Sequence, residues 1–185
     1  TNISNEFKAT DTTASHNLMK SGTGTLTLSG SASHTGTTTI SAGTLEIGSG
    51  GTTGWIDNSI ITNNGNLTFN RSDNITYNSV LSGTGSLTKD GSGTLALTNT
   101  NTYSGLTTIS TGTLQLGSAG VSGSVSSSSI VNNSSLSFNR SDDFIFDNTI
   151  SGSGSVTQAG SGKVILTSEN TFSGSTTISN GSLQI

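Results

Sequence analysis

Residues 87–117 read LTKDGSGTLALTNTNTYSGLTTISTGTLQLG, and residues 18–48 read LMKSGTGTLTLSGSASHTGTTTISAGTLEIG, about half of the aligned positions being identical without a gap. A third copy, VTQAGSGKVILTSENTFSGSTTISNGSLQI, occupies 156–185. Gly22, Gly91 and Gly160 are equivalent, so the period is 69 residues (91 − 22 = 160 − 91 = 69). The stretches between copies keep that period: 64–73 reads NGNLTFNRSD and 133–142 reads NSSLSFNRSD, each followed by an aromatic-bearing segment and then SGTGS at 82–86 or SGSGS at 151–155. Self-similarity at a fixed spacing is the signature of a repeat architecture. The chain therefore divides into repeat motifs at 18–48, 87–117 and 156–185, spacer coils at 49–86 and 118–155, and residues 1–17, which are expected to form a divergent N-terminal rung or cap.

Within one period, short alternating apolar segments recur at Leu95/Leu97, Leu114/Leu116, Leu136/Phe138 and Val156. Alternation marks half-buried strands, and the Gly, Asn and Ser groups between them are turn formers. No helical period is sustained. Strands one rung apart, without helices to make crossovers, predict an all-β right-handed parallel β-helix, a β-solenoid of about three coils per repeat in which each coil completes its neighbour's core. Either Leu87 or Leu95 leads its coil. Leu, Ile, Val and Phe are expected inside and Thr on the outward strand faces. Asn63, Asn64, Asn132 and Asn133 stand at repeated turns, where amide ladders between coils are an option. Gly43, Gly112 and Gly181 are expected to supply a positive φ before the last strand of each unit.

Composition agrees with a thin, repeated core. Hydrophobic residues make up 28% and charged residues 9%, against roughly 45% and about 25% in average globular domains. Disordered chains with so few apolar groups usually carry high net charge and many Pro and Lys; here the net charge is −4 and Pro is absent. The absence of Cys removes thiolate chemistry and Cys-based metal sites. Six Lys and Arg in all argue against nucleic acid as a partner. No apolar run approaches the length of a membrane helix, so no membrane insertion by this segment is expected.

The unit G-x-G-T-L-x-L-(T/S)…T-(Y/F)-(S/T)-G-x-T-T-I-S-x-G-(T/S)-L-(Q/E)-(L/I), at 22–47, 91–116 and 160–185, strongly resembles the passenger-associated transport repeat of bacterial autotransporters. The interleaved LTFNRSDN at 67–74 and LSGTGSLTKDGSGTL at 81–95 resemble the spacer of the same large passengers. Copy one departs from the motif at Ser33-His34-Thr35, where the others place Tyr103 or Phe172 before Ser-Gly. The resemblance implies secretion across the outer membrane, a β-helical passenger displayed on the bacterial cell surface, and a repeat that helps the passenger reach the surface and fold there. It also implies adhesion, with a host-surface protein or glycan as the partner.

Few residues invite a chemical reading. Asp142, Asp143 and Asp147 form the densest acidic cluster, and paired carboxylates serve glycoside chemistry; their equivalents are Asp73, Asn74 and Asn78, so one acid recurs and solvated turns account for the rest. Arg71 and Arg140 recur in FNRSD: either a ligand-binding Arg shown once per period, or, as we favour, an exposed local Arg–Asp pair in a turn. His16 and His34 lack a partner at metal-ligand spacing, and the equivalents of His34 are Tyr103 and Phe172, which indicates ring packing. Trp55, equivalent to Ser124, is either a glycan-stacking ring or a rim aromatic without function. The strings GTGTL and GSGTL lack the Lys-Ser/Thr and helix of a phosphate loop. The Asn66 and Asn74 sequons are coincidences of composition. No catalytic, cofactor or metal residue is assigned, and the chain is not expected to be an enzyme.

Three roles follow as expectations. The first is a structural, adhesive stalk segment of a large surface protein. The second is a fibre subunit stacking head-to-tail on identical chains through the open strand edge beyond Ile185. The third is a β-helical polysaccharide-active enzyme, which needs converging acids that this sequence lacks.

Overall fold

The computed structural model describes residues 16–185 except 35, 58 and 59, together with the backbone of two short strands, Asn2–Ile3 and Phe7–Lys8. The rest of the stretch assigned to a cap or divergent rung lies outside the described residues. Among the described residues there is no helix, and every strand pairing is parallel. Three strands make one coil. The first coil has β1 (Asn2–Ile3), β2 (Phe7–Lys8) and β3 (Leu18–Lys20). The second has β4 (Thr25–Leu28), β5 (Ser31–Ser33) and β6 (Thr38–Ile40), and the third β7 (Thr44–Ile47), β8 (Trp55–Ile56) and β9 (Ile61–Asn63). The fourth is β10 (Asn66–Asn70), β11 (Ile75–Tyr77) and β12 (Leu81–Ser82), and the fifth β13 (Ser86–Asp90), β14 (Thr94–Leu97) and β15 (Thr100–Asn101). β16 (Thr107–Ile109), β17 (Thr113–Gly120) and β18 (Ser124–Val125) form the sixth, and β19 (Ser129–Asn132), β20 (Ser135–Arg140) and β21 (Phe144–Phe146) the seventh. The eighth is β22 (Thr149–Ser151), β23 (Ser155–Gln158) and β24 (Lys163–Leu166).

A ninth coil contains β25 (Thr176–Ile178) and β26 (Ser182–Gln184). Its first side follows β22 without being a strand: the Thr171 and Ser173 amides donate to the Ile150 and Gly152 carbonyls at 2.9 and 2.8 Å. At about 4.8 Å per coil this stack is a rod roughly 40 Å long.

Register resolves the open choice about which leucine leads. Leu95 stacks beneath Leu114, then Leu136 and Val156, on one side of the rod. Leu87 lies on a different side, between Leu67 and Thr107. Ten strands separate β3 from its equivalent β13, and ten more separate β13 from β23. With three strands to a coil, one repeat spans three coils plus one side. Equivalent segments therefore do not stack on each other. β3 pairs with β6, β13 with β10 and β16, and β23 with β20, on three successive sides.

The interior is a continuous apolar column. Leu45, Leu67, Leu87, Ile130 and Ile150 line one side, and Leu95, Leu114, Leu136 and Val156 another, all essentially without solvent contact. Aromatic rings add to the column in the fourth and seventh coils: Phe69 and Tyr77 lie 5.7 Å apart between ring centres, and Phe138 and Phe146 lie 5.0 Å apart. Thr departs from the expected outward rule at two equivalent places. Thr38 and Thr107 point inward and are fully buried. Their hydroxyls are held at 2.8 Å by His34 Nε2 and at 2.7 Å by the Tyr103 hydroxyl. Gly43, Gly112 and Gly181 do take φ values of +68°, +67° and +62°.

Because each coil is covered only by its neighbours, a single cavity loosens two interfaces. Leu114→Ala is expected to cost about 2–5 kcal/mol, read as a lower urea midpoint with an unchanged slope.

Candidate functional site

Coil length is uneven, and the unevenness creates the surface features. Along one side the partners Thr25 and Thr44 are separated by 19 positions, Thr44 and Asn66 by 22, and Asn66 and Ser86 by 20. The surplus goes into a loop at 48–54, at the corner between β7 and β8, and into its equivalent at 117–123, which takes in the irregular end of β17 and the turn to β18. Gly48 and Gly117, both at φ +86°, start these loops.

Arg71 and Arg140, expected as exposed turn residues, are buried. Each reaches from the coil above to the loop below. Arg140 Nη1 and Nη2 donate to the Gly123 and Val121 carbonyls at 3.1 and 2.6 Å, while Nε and Nη2 donate to Asp142 Oδ1 and Oδ2 at 2.9 and 2.6 Å. Arg71 repeats the pattern with the Gly54 and Thr52 carbonyls, and with Asp73 at 2.8 and 2.7 Å. The planar fork satisfies a carboxylate and two carbonyls at once, a geometry Lys does not match. The guanidinium hydrogen bonds hold the Asp73 and Asp142 carboxyls below the usual carboxylate range. Arg140 also lies 4.3 Å from the centre of the Phe144 ring. The Arg–Asp pair is local as expected, but its cation is buried against the loop of the preceding coil and clamps that loop instead of standing exposed in a turn.

A second set of polar side chains faces inward. Lys89 is 2% exposed, and its Nζ donates to the carbonyls of Asp90, Gly91 and Thr111 at 2.9, 2.7 and 3.3 Å. Lys20 does the same with Ser21, Gly22 and Ala42 at 3.1, 2.7 and 3.0 Å. At the third equivalent, Gln158 Nε2 donates to Gly160 and Gly162 at 2.9 and 2.8 Å. Burial lowers the Lys89 pKa while Asp90 pulls it back up. A Cβ on Gly112 would stand 2.8 Å from Lys89 Nζ and 2.4 Å from the Gly93 carbonyl oxygen, so the next turn can lie on this carbonyl ring only as Gly.

Asn63 and Asn132 do not form an amide ladder. Their Nδ2 groups donate upward to the Ser86 and Ser155 carbonyls, each at 2.8 Å, and their Oδ1 atoms accept from Gly65 N and Ser134 N at 3.1 and 3.2 Å. Each is a clip between two coils.

The remaining candidates are dispersed. Asp142 is engaged by Arg140, whereas Asp143 and Asp147 are exposed. His34 packs inside beside Thr38, and burial lowers its pKa although Asp57 acts to raise it. Among the described residues no three His, Cys, Asp or Glu side chains are grouped to hold a metal ion. Trp55 is half-buried at the loop 48–54 corner, its ring edge-on to Tyr77 at 6.5 Å. The inward lysines were the residues sequence reasoning missed. Their signal was present, since Leu87-Thr88-Lys89 alternates in, out, in.

Replacing Arg140 by Lys is expected to cost about 1–3 kcal/mol by leaving carbonyls and a carboxylate underpaired, and to speed hydrogen exchange in 117–123 ahead of the rest of the rod. His34, with a folded pKa below 6.5, is neutral in the fold and charges more readily unfolded. Its stability contribution is present above pH 6.5 and is lost as pH falls through the folded pKa. His34→Tyr, the residue at the equivalent position 103, is expected to flatten the fall in melting temperature between pH 7.5 and 5.

The passenger-associated-transport-repeat family matches residues 18–47, 87–116 and 156–185. The adhesin BmaC autotransporter of Brucella suis biovar 1 (strain 1330) is 36% identical over 168 residues, covering 79% of this chain and 5% of that protein. The chain thus spans a small part of the length of the relative it matches. No solved structure matches. With three matched motifs set one period apart on a single parallel solenoid, the chain belongs to the passenger-associated-transport-repeat proteins, the autotransporter passengers.

Proposed function

We propose that this segment is a non-enzymatic shaft of a surface-displayed autotransporter adhesin, setting reach and helping the passenger fold outside the cell. The observation that carries the reading is the regularity of the rod: most polar groups that a sequence reader would suspect are consumed in holding coils together. Arg71 and Arg140 are bound to loops, Lys20 and Lys89 to carbonyl rings, and Asn63 and Asn132 to adjacent coils. No residue is assigned a catalytic, cofactor-binding or metal-binding role. Coil-on-coil pairing with another identical chain is the alternative reading. A host-surface protein or glycan is the partner of the adhesin as a whole.

Folding assistance follows from local pairing. Each coil binds the one about 20 residues earlier (Leu87 on Leu67, for example), so a chain emerging in order folds onto coils already in place. The experiment is deletion of 87–155, one full period, within the whole passenger. The shaft is expected to shorten by about 16 Å, from three and a third coils at about 4.8 Å, with secretion and melting cooperativity retained. Loss of folding, or an unchanged length, would reject the shaft reading. Electron microscopy of the same samples separates single rods from end-to-end filaments, and polysaccharide substrates are expected to survive incubation uncleaved.

A further inference from the structure

The loop corner at 48–54 differs from its equivalent in a way that clamping does not explain. Three coils enclose a groove of about 640 Å³ there, within the roughly 300–1,000 Å³ range of small-molecule sites. We infer that this groove is a binding site for a neutral saccharide, with the Trp55 ring stacking on a sugar ring.

The lining carries the chemistry. Trp55 and Ile75 supply apolar surface, and Ser31, Thr52 and Thr76 supply hydroxyls that donate and accept. A pyranose has apolar C–H faces and a rim of hydroxyls, so an aromatic face bordered by hydroxyls complements it on both counts. Arg71 also reaches the groove, but Asp73 neutralises its charge and four of its five N–H donors are taken. The groove therefore offers no uncompensated cation, which favours a neutral sugar over a sialylated or sulfated one.

The site is also held in shape. The Trp55 amide donates to the Gly30 carbonyl at 3.2 Å, β8 pairs with β5, and Tyr77 braces the indole at an interplanar angle of 68°. A ring fixed before binding loses little freedom on contact. At the equivalent corner of the next repeat, Trp55, Thr52, Ile75 and Thr76 are replaced by Ser124, Val121, Phe144 and Ile145. The indole and the two threonine hydroxyls are gone, the Phe144 ring there lies against the Arg140 guanidinium at 4.3 Å, and Val121 and Ile145 are 68% and 64% exposed. Saccharide recognition is thus a property of one corner and not of the repeat as such.

Trp55 is the chain's one tryptophan, so its emission reports on this groove directly. The probes are lactose, cellobiose, mannobiose and diacetylchitobiose, followed by an array of neutral and acidic glycans. At least one neutral glycan is expected to shift the emission saturably, and calorimetry is expected to show at least ~10-fold weaker binding for Trp55→Ser, the residue found at position 124, a change of about 1.4 kcal/mol. The double variant Thr52→Val/Thr76→Ile keeps the ring and is expected to weaken binding as well. Far-UV circular dichroism melts establish that both variants fold. The inference fails if no neutral glycan shifts the emission, if Trp55→Ser binds as the parent does, or if acidic glycans bind in preference. None of these outcomes bears on the length measurement, so this inference and the shaft reading fail separately.

Discussion

No coil of this chain can bury its own apolar residues. A coil is one strand thick, and its inward side chains are covered only by those of the coils above and below. That dependence explains the parallel pairing found from Thr25 to Gln184, with one register shift between Leu116 and Gly120. It also explains why a chain with only 28% hydrophobic residues keeps a column of Leu, Ile and Phe almost free of solvent. Stacking likewise decides which polar groups are tolerated inside. Lys89 sits in line between Phe69 and Ile109 because its stem packs with them while its ammonium leaves the column for three carbonyls at the turn. Asn63 serves the same stack by clipping Gly65 and Ser86 together.

Stacking also demands that surplus residues leave the column. The coils containing 48–54 and 117–123 are longer than their neighbours, and the excess forms outward loops. An outward loop exposes carbonyls that need partners, and the buried guanidiniums of Arg71 and Arg140 provide them from the coil above. Since one repeat advances the chain by three coils and one side, the second loop stands at the next corner round the rod. Whatever these corners display winds about the shaft in steps of one side.

This arrangement separates the column from the residues displayed at its corners. The buried Lys, Arg and Asn groups are bound to backbone of adjacent turns, so the column does not depend on what the corners carry. Corner residues such as Trp55 and Ser124, or Thr76 and Ile145, differ at the rim of the column while the parallel strand pairing beside them is kept. A solenoid built this way can vary its outward side chains while keeping one column.

The sequence by itself determined the repeat, the strand-and-turn character of each segment, the solenoid class and the positive φ at Gly43, Gly112 and Gly181. All of these follow from alternation and local turn chemistry within a few residues. It also marked Arg71 and Arg140 as partners of the Asp two positions on, a contact within one turn. Only the tertiary structure decided that those arginines are buried, that Lys20 and Lys89 sit in carbonyl rings, that Thr38 and Thr107 face inward, and that Leu95, not Leu87, stacks under Leu114. Each of these depends on which residues some 20 positions away lie in the next coil. A one-residue slip in that pairing would turn every side chain of the strand to the other face, and coils of 19, 20 and 22 positions all occur, so the pattern within a coil does not reveal what covers it.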